Sequence, residues 1–333
     1  MRFAPGVIAL SFVALITNGC SFVNVDLRLL PIKYREVVVE KGSPLRKVLI
    51  LDVDGAITSG NQSESPIFGT DDSTVTAVAE KLSQARKDRA IKAVVLRIDT
   101  PGGGVTASDI VYKMLKEYKE ETKVPIYVSM MDMSTSGGYY IAMAADEIYA
   151  HPTTITGSIG VIAMFPQFED LGKKIGVYFE VVKSGQNKDM GGGFKNMSPE
   201  ARALMQKMID DMYSRFVGVV AAGRPKLTED RIRELADGRI YMAEDAVDNG
   251  LIDGIKYLDE VIDHAKVQTG SARARIVMYK KTSADSVETA YARTTISPNA
   301  SSDGRTNVSV INVEAGKLTT PHAQPVFHYL WMP

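Results

Sequence analysis

The sequence predicts an α/β fold in which helices flank a mostly parallel sheet. From Lys47 onward, short apolar runs alternate with longer helix-like segments. Two consecutive strand–turn–helix units, at residues 93–120 and 126–145, also carry glycine-rich turns directly after their strands. Because parallel strands end at one edge of a sheet, we expect both turns at the edge where α/β proteins place their functional sites.

The individual elements are predicted from local pattern. Strands are expected where the chain is short and apolar, at Val48–Val53, Ala93–Ile98, Pro125–Met131, Glu147–Ala150 and Gly176–Val182. A helix with a capped start is expected at Asp71–Lys87, followed by an amphipathic helix at Ala107–Glu120. Ser198 precedes a proline at the first helical position and predicts a long helix to about Ala222. Shorter helices are expected at 139–145, 228–235, 243–249 and 258–267.

The N-terminus has the layout of an export signal, with a mostly apolar stretch at Val7–Ile16. This stretch is shorter than the roughly 20 apolar residues of a transmembrane span. The small residues before Cys20 resemble a bacterial lipoprotein cleavage site, after which Cys20 would carry lipid. A plain signal anchor, or a cleaved signal with an incidental cysteine, is the alternative. We therefore expect an export signal at 1–20 and a membrane-proximal linker at 21–46.

The remaining chain divides into a catalytic domain at 47–268 and an extension at 269–333. Residues 272–311 are rich in Ser, Thr, Ala and Asn with little periodicity, so partial disorder is expected there. The last apolar residues, Phe327–Trp331, are expected to dock as a strand or to contact a neighbouring subunit.

Composition argues against several classes of function. The formal net charge is −1, and no basic face stands out, so nucleic acid is not an expected partner. A single cysteine excludes an internal disulfide framework and a cysteine-based zinc site. We expect neither a metal ion nor a cofactor.

The candidate nucleophile is Ser136, which stands before two glycines between a strand and a helix. At such a turn, free backbone N–H groups and the positive end of the helix dipole favour a developing alkoxide or oxyanion. The alternative is that Ser136 is only a helix N-cap, whose side-chain oxygen accepts a hydrogen bond from the helix. The motif alone does not choose between them.

A serine nucleophile needs a base, and the sequence offers four histidines and many lysines. His264, His322 and His328 lie in peripheral regions, and His151 stands before a proline in a predicted turn, so a Ser–His triad is disfavoured. A lysine can serve if burial lowers its pKa by about three units from about 10.4, which costs about 4 kcal/mol of stability. Lys183 and Lys188 are the candidates, in the loop after the Gly176–Val182 segment.

Four ordered motifs resemble those of the signal peptide peptidase A family, which are bacterial serine peptidases. The resemblance covers roughly residues 48–266 and corresponds to the short form, with one catalytic unit. The motifs are Leu96-Arg97-Ile98-Asp99-Thr100-Pro101-Gly102-Gly103-Gly104, Ser136-Gly137-Gly138-Tyr139-Tyr140, Thr156-Gly157-Ser158-Ile159-Gly160-Val161 and Lys183-Ser184-Gly185-Gln186-Asn187-Lys188-Asp189.

The resemblance implies a role for each matching residue. Ser136 would be the nucleophile, Lys188 the general base, and Ser158 the residue that orients the lysine amine. The backbone N–H groups of Gly103 and Gly137 would form the oxyanion hole, where losing one donor costs about 3 kcal/mol. Lys183 would then have no catalytic role.

Two departures from the family pattern are visible. Asp99-Thr100 replaces the more usual asparagine-serine, and Gly191-Gly192-Gly193 lengthens the loop after the lysine. Both leave the Ser–Lys pair intact.

The resemblance also implies a Clp protease/crotonase-like fold of ββα repeats, and a serine endopeptidase that degrades remnant signal peptides and other hydrophobic segments at the membrane. Family members of this size form homo-oligomeric rings, such as octamers, in which the lysine can come from the neighbouring protomer. Two alternatives stay open: a crotonase-like acyl-CoA enzyme, which would not need both Ser136 and Lys188, and a non-catalytic envelope scaffold.

Overall fold

The structure, a computed structural model, describes residues 34–60, 62–65, 69–71, 73–281, 290–291 and 328–330. The predicted export signal, Cys20 and most of the C-terminal extension lie outside these residues. Among the helices of the described ranges, none combines the length and apolar character needed to cross a bilayer.

The described chain alternates strands and helices, as the sequence pattern predicts. The strands are β1 (Tyr34–Glu40), β2 (Ser43–Asp54), β3 (Gln62–Ser65), β4 (Gly69–Asp71), β5 (Ile91–Thr100), β6 (Gly102–Gly104), β7 (Ile126–Thr135), β8 (Glu147–Ala150), β9 (Ile155–Gly157), β10 (Ile240–Met242), β11 (Gly254–Ile255), β12 (Ala274–Lys281) and β13 (His328–Leu330). The helices are α1 (Thr74–Lys87), α2 (Val105–Thr122), α3 (Gly137–Ala142), α4 (Glu169–Lys174), α5 (Pro199–Gly223), α6 (Glu229–Leu235), α7 (Ala243–Asp248) and α8 (Leu258–Gln268).

The main sheet has the strand order β1-β12-β2-β5-β7-β8-β11, and β9 also pairs with β7. All neighbouring pairs from β12 to β11 are parallel, as is β7 with β9, whereas β1–β12 and β9–β10 are antiparallel. The predicted fold class, a mostly parallel sheet flanked by helices, is therefore confirmed. The carboxyl ends of β5 and β7 lie side by side, with Thr100 opposite Ser134, so the two glycine-rich turns meet at one edge.

Two apolar layers cover the central strands, because successive side chains of a strand point to opposite faces. Leu49 and Leu51 of β2 pack into the larger core with helices α1, α2, α3 and α5. Val48 and Ile50 pack on the other face with α8. The near-continuous apolar runs of β2 and β5 follow from this coverage on both sides.

Helix starts follow the predicted capping chemistry. Ser73 caps α1 by accepting a hydrogen bond from the Thr76 amide, so α1 begins at Thr74 and not at Asp71. Ser198 caps α5 in the same way, with the Ala201 amide as donor. A lost cap of this kind costs about 1 kcal/mol.

Two expectations differ from the structure. The predicted strand at Gly176–Val182 is wrong: this segment is exposed coil with no paired neighbour among the described residues, and an apolar run alone does not make a strand. The main sheet also extends beyond the predicted catalytic domain, residues 47–268. Strand β1 lies in the expected linker, and β12 lies in the expected C-terminal extension. In β12, apolar residues between charged ends pair with β2 and bury four consecutive side chains.

A buried ion pair ties β5 to β2 below the site. The Arg97 Nε atom donates to the Asp52 carboxylate at 2.7 Å, and the Arg97 side chain is 1% exposed. Arg97 also donates to the Ala290 carbonyl. Removing one partner of a buried pair leaves the other charge unpaired, which is much more costly than losing a surface pair.

We therefore predict that Arg97→Met lowers the free energy of unfolding by about 3 kcal/mol, because it leaves the partly buried Asp52 carboxylate without its ion-pair partner. The matched control is Arg86→Ala, which breaks the more exposed pair with Glu121 and should cost less than about 1 kcal/mol. Urea denaturation of the three proteins measures both values. Equal losses for the two variants would contradict this account of the sheet.

Candidate active site

Ser136 lies at the turn between β7 and α3 in a backbone conformation that non-glycine residues rarely adopt. Its φ is 51° and its ψ is −110°, at the N-cap position of α3. Such strain costs about 1–3 kcal/mol and persists only where the surroundings enforce it. The enforcing contacts are backbone hydrogen bonds: the Ser136 N–H donates to Gly157 at 2.7 Å, and its carbonyl accepts from Tyr140 at 2.9 Å.

The Ser136 side chain does not act as a helix cap. It makes no capping hydrogen bond to α3, unlike Ser73 and Ser198 on their helices. Ser136 therefore occupies the N-cap position, but its hydroxyl does not bond to the helix. The interpretation that Ser136 is only a structural cap is wrong. Ser136 is nearly fully buried and is one of the residues that line a cavity.

Ser158 lies beside Ser136 because β9 runs parallel to β7. The register pairs Thr135 with Gly157, so the residues that follow, Ser136 and Ser158, leave the sheet together. Ser158 also has a positive φ, 50°, and its N–H donates to the Arg239 carbonyl at 2.7 Å. The structure thus brings together the first two residues that the sequence predicted for the site.

The glycine turns bring two candidate oxyanion donors close to Ser136. A methyl group added at Gly137 would lie 3.2 Å from both the Gly103 nitrogen and the Gly102 α-carbon, so the two turns are in contact. It would also lie 2.5 Å from the Ser108 hydroxyl, so only glycine fits at this position. Gly102 has a φ of 102°, which also favours glycine. The Gly103 and Gly137 amides therefore lie near each other and next to the serine.

The cavity at Ser136 has a volume of about 420 Å³. Its walls come from three segments: Ser158–Ile162 after β9, Ile209–Tyr213 on α5, and Ala236–Gly238 before β10. The side chains of Ile159, Val161 and Ile162 make part of the wall apolar. A serine that lines a partly apolar cleft can attack an electrophilic carbon from which bulk water is partly excluded.

Sequence reasoning missed the wall contributed by α5 and the turn before β10. Asp237 is the acidic residue there, and hydrogen bonds from Arg239 hold the pKa of its carboxyl at about 2. Asp237 is therefore ionised and paired, so it is a poor candidate for a general base. The Asp237-Gly238 dipeptide is a turn signal in the sequence, but nothing in the sequence links this turn to Ser136.

The two candidate lysines lie in the loop before α5, away from the cavity wall. The Lys183 amine contacts the Asp189 carboxylate at 2.6 Å and the Gln186 carbonyl at 2.7 Å. Its hydrogen bond to Asp189 lowers the pKa of that carboxyl. Lys188 is exposed and has no side-chain hydrogen bond or ion pair to any described residue. Within one chain, the structure does not bring Lys188 to Ser136.

The described histidine side chains have other partners. His151 contacts the Thr153 hydroxyl at 2.8 Å within its turn, as the sequence suggested. His264 contacts the Glu147 carboxylate at 2.8 Å on the far side of the sheet. Neither lines the cavity at Ser136, which is consistent with the low weight given to a Ser–His triad.

Comparison with known proteins identifies matches that cover this site. The sequence profile of Peptidase family S49 matches residues 118–271, and the Clp protease profile matches residues 65–156. The chain is similar to an Enterococcus faecium protein named for signal peptide peptidase SppA, with 36% identity over 245 residues, covering 74% of this chain and 70% of that protein.

Longer proteins also match. Protease 4 of Haemophilus influenzae is 35% identical over 220 residues, which cover 66% of this chain but 34% of that protein. The chloroplastic serine protease SPPA of Arabidopsis thaliana is 36% identical over 203 residues, covering 61% of this chain and 29% of that protein. A solved 1510-N membrane-bound stomatin-specific protease with a substrate peptide superimposes with a TM-score of 0.40 at 17% identity, over 66% of this chain and 79% of that chain.

We predict that Gly137→Ala slows covalent labelling of Ser136 by a fluorophosphonate about 100-fold, because the added methyl group displaces one of the two candidate oxyanion donors. Intact mass spectrometry against time measures the labelling rate. The control is Gly218→Ala, on an exposed position of α5 where nothing lies within 4 Å of the new methyl group. Labelling of Gly137→Ala at the parental rate would exclude the Gly137 amide from the oxyanion hole.

Proposed function

The chain belongs to peptidase family S49 and is thereby a serine peptidase, and from this premise we propose that it is a membrane-associated endopeptidase with a Ser136–Lys188 dyad. The observation that carries the proposal is the environment of Ser136. Its side chain does not cap helix α3, and the residue lines a cleft and lies next to the Gly103 and Gly137 amides.

The proposed reaction proceeds through an acyl-enzyme. A neutral Lys188 amine takes the proton from the Ser136 hydroxyl as the oxygen attacks the carbonyl carbon of a peptide bond. The amides of Gly103 and Gly137 stabilise the resulting oxyanion. The carbon–nitrogen bond then breaks, and the lysine returns its proton to the leaving amine. The lysine next takes a proton from water as the water oxygen attacks the ester carbonyl. The bond between this carbon and the Ser136 oxygen then breaks, and the lysine returns the proton to Ser136.

Ser158 is proposed to orient the lysine amine. The parallel pairing of β7 with β9 supports this role, because it fixes Ser158 beside Ser136 in the same cavity wall. The Ser158 hydroxyl would accept a hydrogen bond from the amine, so that the lone pair of the nitrogen points to the Ser136 oxygen.

The exposed position of Lys188 supports a dyad shared between protomers. A lysine amine accepts a proton at neutral pH only where burial disfavours its charged form. Lys188 is exposed in the single chain, so a second surface must cover it before it can act.

The segment that contains Lys188 exposes many apolar side chains, as a surface that binds another protein does. Residues 162–194 contain more than half of the large exposed apolar side chains of the described chain: Ile162, Met164, Phe168, Leu171, Ile175, Val177, Tyr178, Phe179, Val181, Val182 and Phe194. Exposed apolar surface of this extent marks an interaction site. We propose that a neighbouring protomer of a homo-oligomeric ring packs on this segment and that the lysine of one protomer reaches the serine of the next.

The proposed substrates are hydrophobic peptide segments, including remnant signal peptides left at the membrane. The apolar cavity wall at Ile159, Val161 and Ile162 supports this substrate class. The name of the Enterococcus faecium relative is consistent with it. Lipidation of Cys20 would anchor the protein to a membrane of the bacterial cell envelope, with the catalytic domain outside the cytoplasm.

Membership of a peptidase family is at odds with the acyl-CoA alternative. The non-catalytic scaffold is disfavoured by the strain at Ser136, because a protein that never uses this hydroxyl gains nothing from holding it in a costly conformation. No specific observation favours either alternative.

We predict that Ser136→Ala and Lys188→Ala each lower kcat for peptide hydrolysis about a thousandfold or more, because the two groups act as a unit. Cleavage of a fluorogenic apolar peptide by the purified protein measures this loss. Circular dichroism should show that both variants remain folded.

The matched control is Lys183→Ala, which removes a lysine five positions away in the same loop. Its amine is already paired with Asp189, so kcat should change less than about threefold. A large loss in Lys183→Ala together with a small loss in Lys188→Ala would transfer the role of base to Lys183.

We further predict that co-expressed Ser136→Ala and Lys188→Ala chains recover about a quarter of the parental activity, since random mixing pairs an intact serine with a neighbouring intact lysine at that frequency. Activity assays on the mixed oligomer, purified through tags on both chains, measure the recovery. A mixed oligomer without activity would mean that both residues of a dyad come from one chain.

A further inference from the structure

Thr100 is the last residue of β5 and lies between the two glycine turns of the site. It is fully buried, and it stands opposite Ser134 of β7 in the parallel pairing of these strands. One glycine turn, 102–104, follows Thr100 along the chain, and the other, 137–138, follows the end of β7. The Thr100 side chain carries a hydroxyl and a methyl group, and each of them contacts a different turn.

The Thr100 hydroxyl ties the first glycine turn to the loop after β2. It accepts a hydrogen bond from the Gly102 N–H at 3.0 Å and donates its own proton to the Gly55 carbonyl. The same loop bonds the turn again, because the Ile57 N–H donates to the Gly102 carbonyl at 2.8 Å. Glycine adopts many backbone conformations at similar cost, so this turn depends on such contacts to hold one of them. The hydroxyl thus helps to hold the turn that carries the Gly103 amide.

The Thr100 methyl group packs against the second glycine turn. A methyl group added at Gly138 would lie 2.7 Å from the Thr100 γ-carbon and 3.2 Å from the Ser134 hydroxyl, so no side chain fits between them. Gly138 directly follows Gly137, so the Thr100 methyl group supports the turn that carries the second candidate donor. A serine at position 100, which is more usual in the family pattern, would keep the hydroxyl but lack this contact.

The two turns also touch each other, so the position of one depends on the position of the other. A methyl group added at Gly102 would lie 2.8 Å from the Gly137 nitrogen, and one added at Gly137 would lie 3.2 Å from the Gly103 nitrogen. Two donors act together on an oxyanion only where each lies about 2.7–3.1 Å from its oxygen. A misplacement of about 1 Å can lower a rate about 100-fold. A side chain that contacts both turns therefore controls the separation of the two amides.

We propose that Thr100 is a positioning residue of the oxyanion hole. Its hydroxyl fixes the turn that carries the Gly103 amide, and its methyl group fixes the turn that carries the Gly137 amide. Thr100 itself does not touch the reacting atoms. The proposal rests on the proposed function, since it concerns the two amides assigned there to the oxyanion. The two tasks are separable, because single substitutions remove one group at a time.

Thr100→Val keeps the methyl group and the shape of the side chain but removes the hydroxyl. The Gly102 N–H and the Gly55 carbonyl then lose a partner. We expect kcat for cleavage of a fluorogenic apolar peptide to fall about tenfold or more while KM changes less than about threefold, because the oxyanion forms only in the transition state. Thr100→Ser keeps the hydroxyl, so it should restore most of the rate, with kcat less than about fivefold below the parental value.

The matched control is Thr122→Val, at the end of α2. The Thr122 hydroxyl makes the same pair of contacts: it accepts from the Val124 N–H at 3.2 Å and donates to the Tyr118 carbonyl at 2.7 Å. These groups precede β7, whereas Ser136 follows its end. Thr122→Val should therefore leave kcat within about twofold of the parental value, because it touches neither candidate oxyanion donor.

Hydrogen–deuterium exchange of backbone amides, followed by mass spectrometry, tests the positioning without any catalysis. In Thr100→Val, fragments that contain residues 102–104 should exchange about tenfold faster, because the turn has lost a bond that holds it closed. In Thr100→Ser, the faster exchange should appear at residues 137–138 instead. Thr122→Val should change neither segment.

Three results would overturn the proposal: a Thr100→Val protein with parental kcat and exchange, a Thr100→Ser protein as slow as Thr100→Val, or a loss of kcat in Thr122→Val equal to that in Thr100→Val. If Thr100→Val does not fold, unchanged exchange at residues 137–138 in Thr100→Ser overturns it as well. If exchange changes as expected but the parental protein cleaves no peptide, the positioning role stands and the proposed peptidase mechanism fails.

Discussion

The site depends on the parallel pairing of β7 with β9, which holds Ser136 in a left-handed conformation. The Ser136 N–H donates to the Gly157 carbonyl, so the candidate nucleophile is held by the sheet and not by its own side chain. The strain at this residue costs about 1–3 kcal/mol. In this geometry the side chain of Ser136 makes no capping hydrogen bond to α3, and the residue lines a cleft.

Around this constraint, most of the site is built from backbone. The oxyanion donors are proposed to be two amides, and their approach to each other requires glycine at Gly102 and Gly137 because side chains would collide there. Such donors are held in position by the sheet before substrate arrives, and this preorganisation is the main source of their effect on rate. Three side chains, Ser136, Ser158 and Lys188, are proposed to move the proton. The edge of β6 is itself paired with the C-terminal strand β13.

The sequence predicts those parts of the molecule that depend on local pattern. Ser136, Ser158 and the Gly102–Gly104 turn are found from the sequence because each follows directly from a strand end, and parallel strands bring their ends together. The strands β1 and β12 were not predicted, since their pairing joins residues more than 200 positions apart and leaves no local signal. The Gly176–Val182 segment misled the prediction because its apolar residues remain exposed in the single chain. Lys188 lies in the loop that follows this segment, and its proposed role depends on contacts with a neighbouring protomer, which neither local pattern nor one chain contains.

The central claim is that Ser136 and Lys188 form one catalytic dyad at the Gly103 and Gly137 amides. A crystal structure of the full-length oligomer after reaction with a peptidyl phosphonate tests it most directly. The account predicts a covalent bond from the Ser136 oxygen to phosphorus and a phosphonyl oxygen about 2.7–3.1 Å from the Gly103 and Gly137 nitrogens. It also predicts a lysine amine, from position 188 of the same or a neighbouring protomer, within about 3.2 Å of the Ser136 oxygen. An adduct on another residue, or a Lys188 amine that stays in solvent in every protomer, would contradict it.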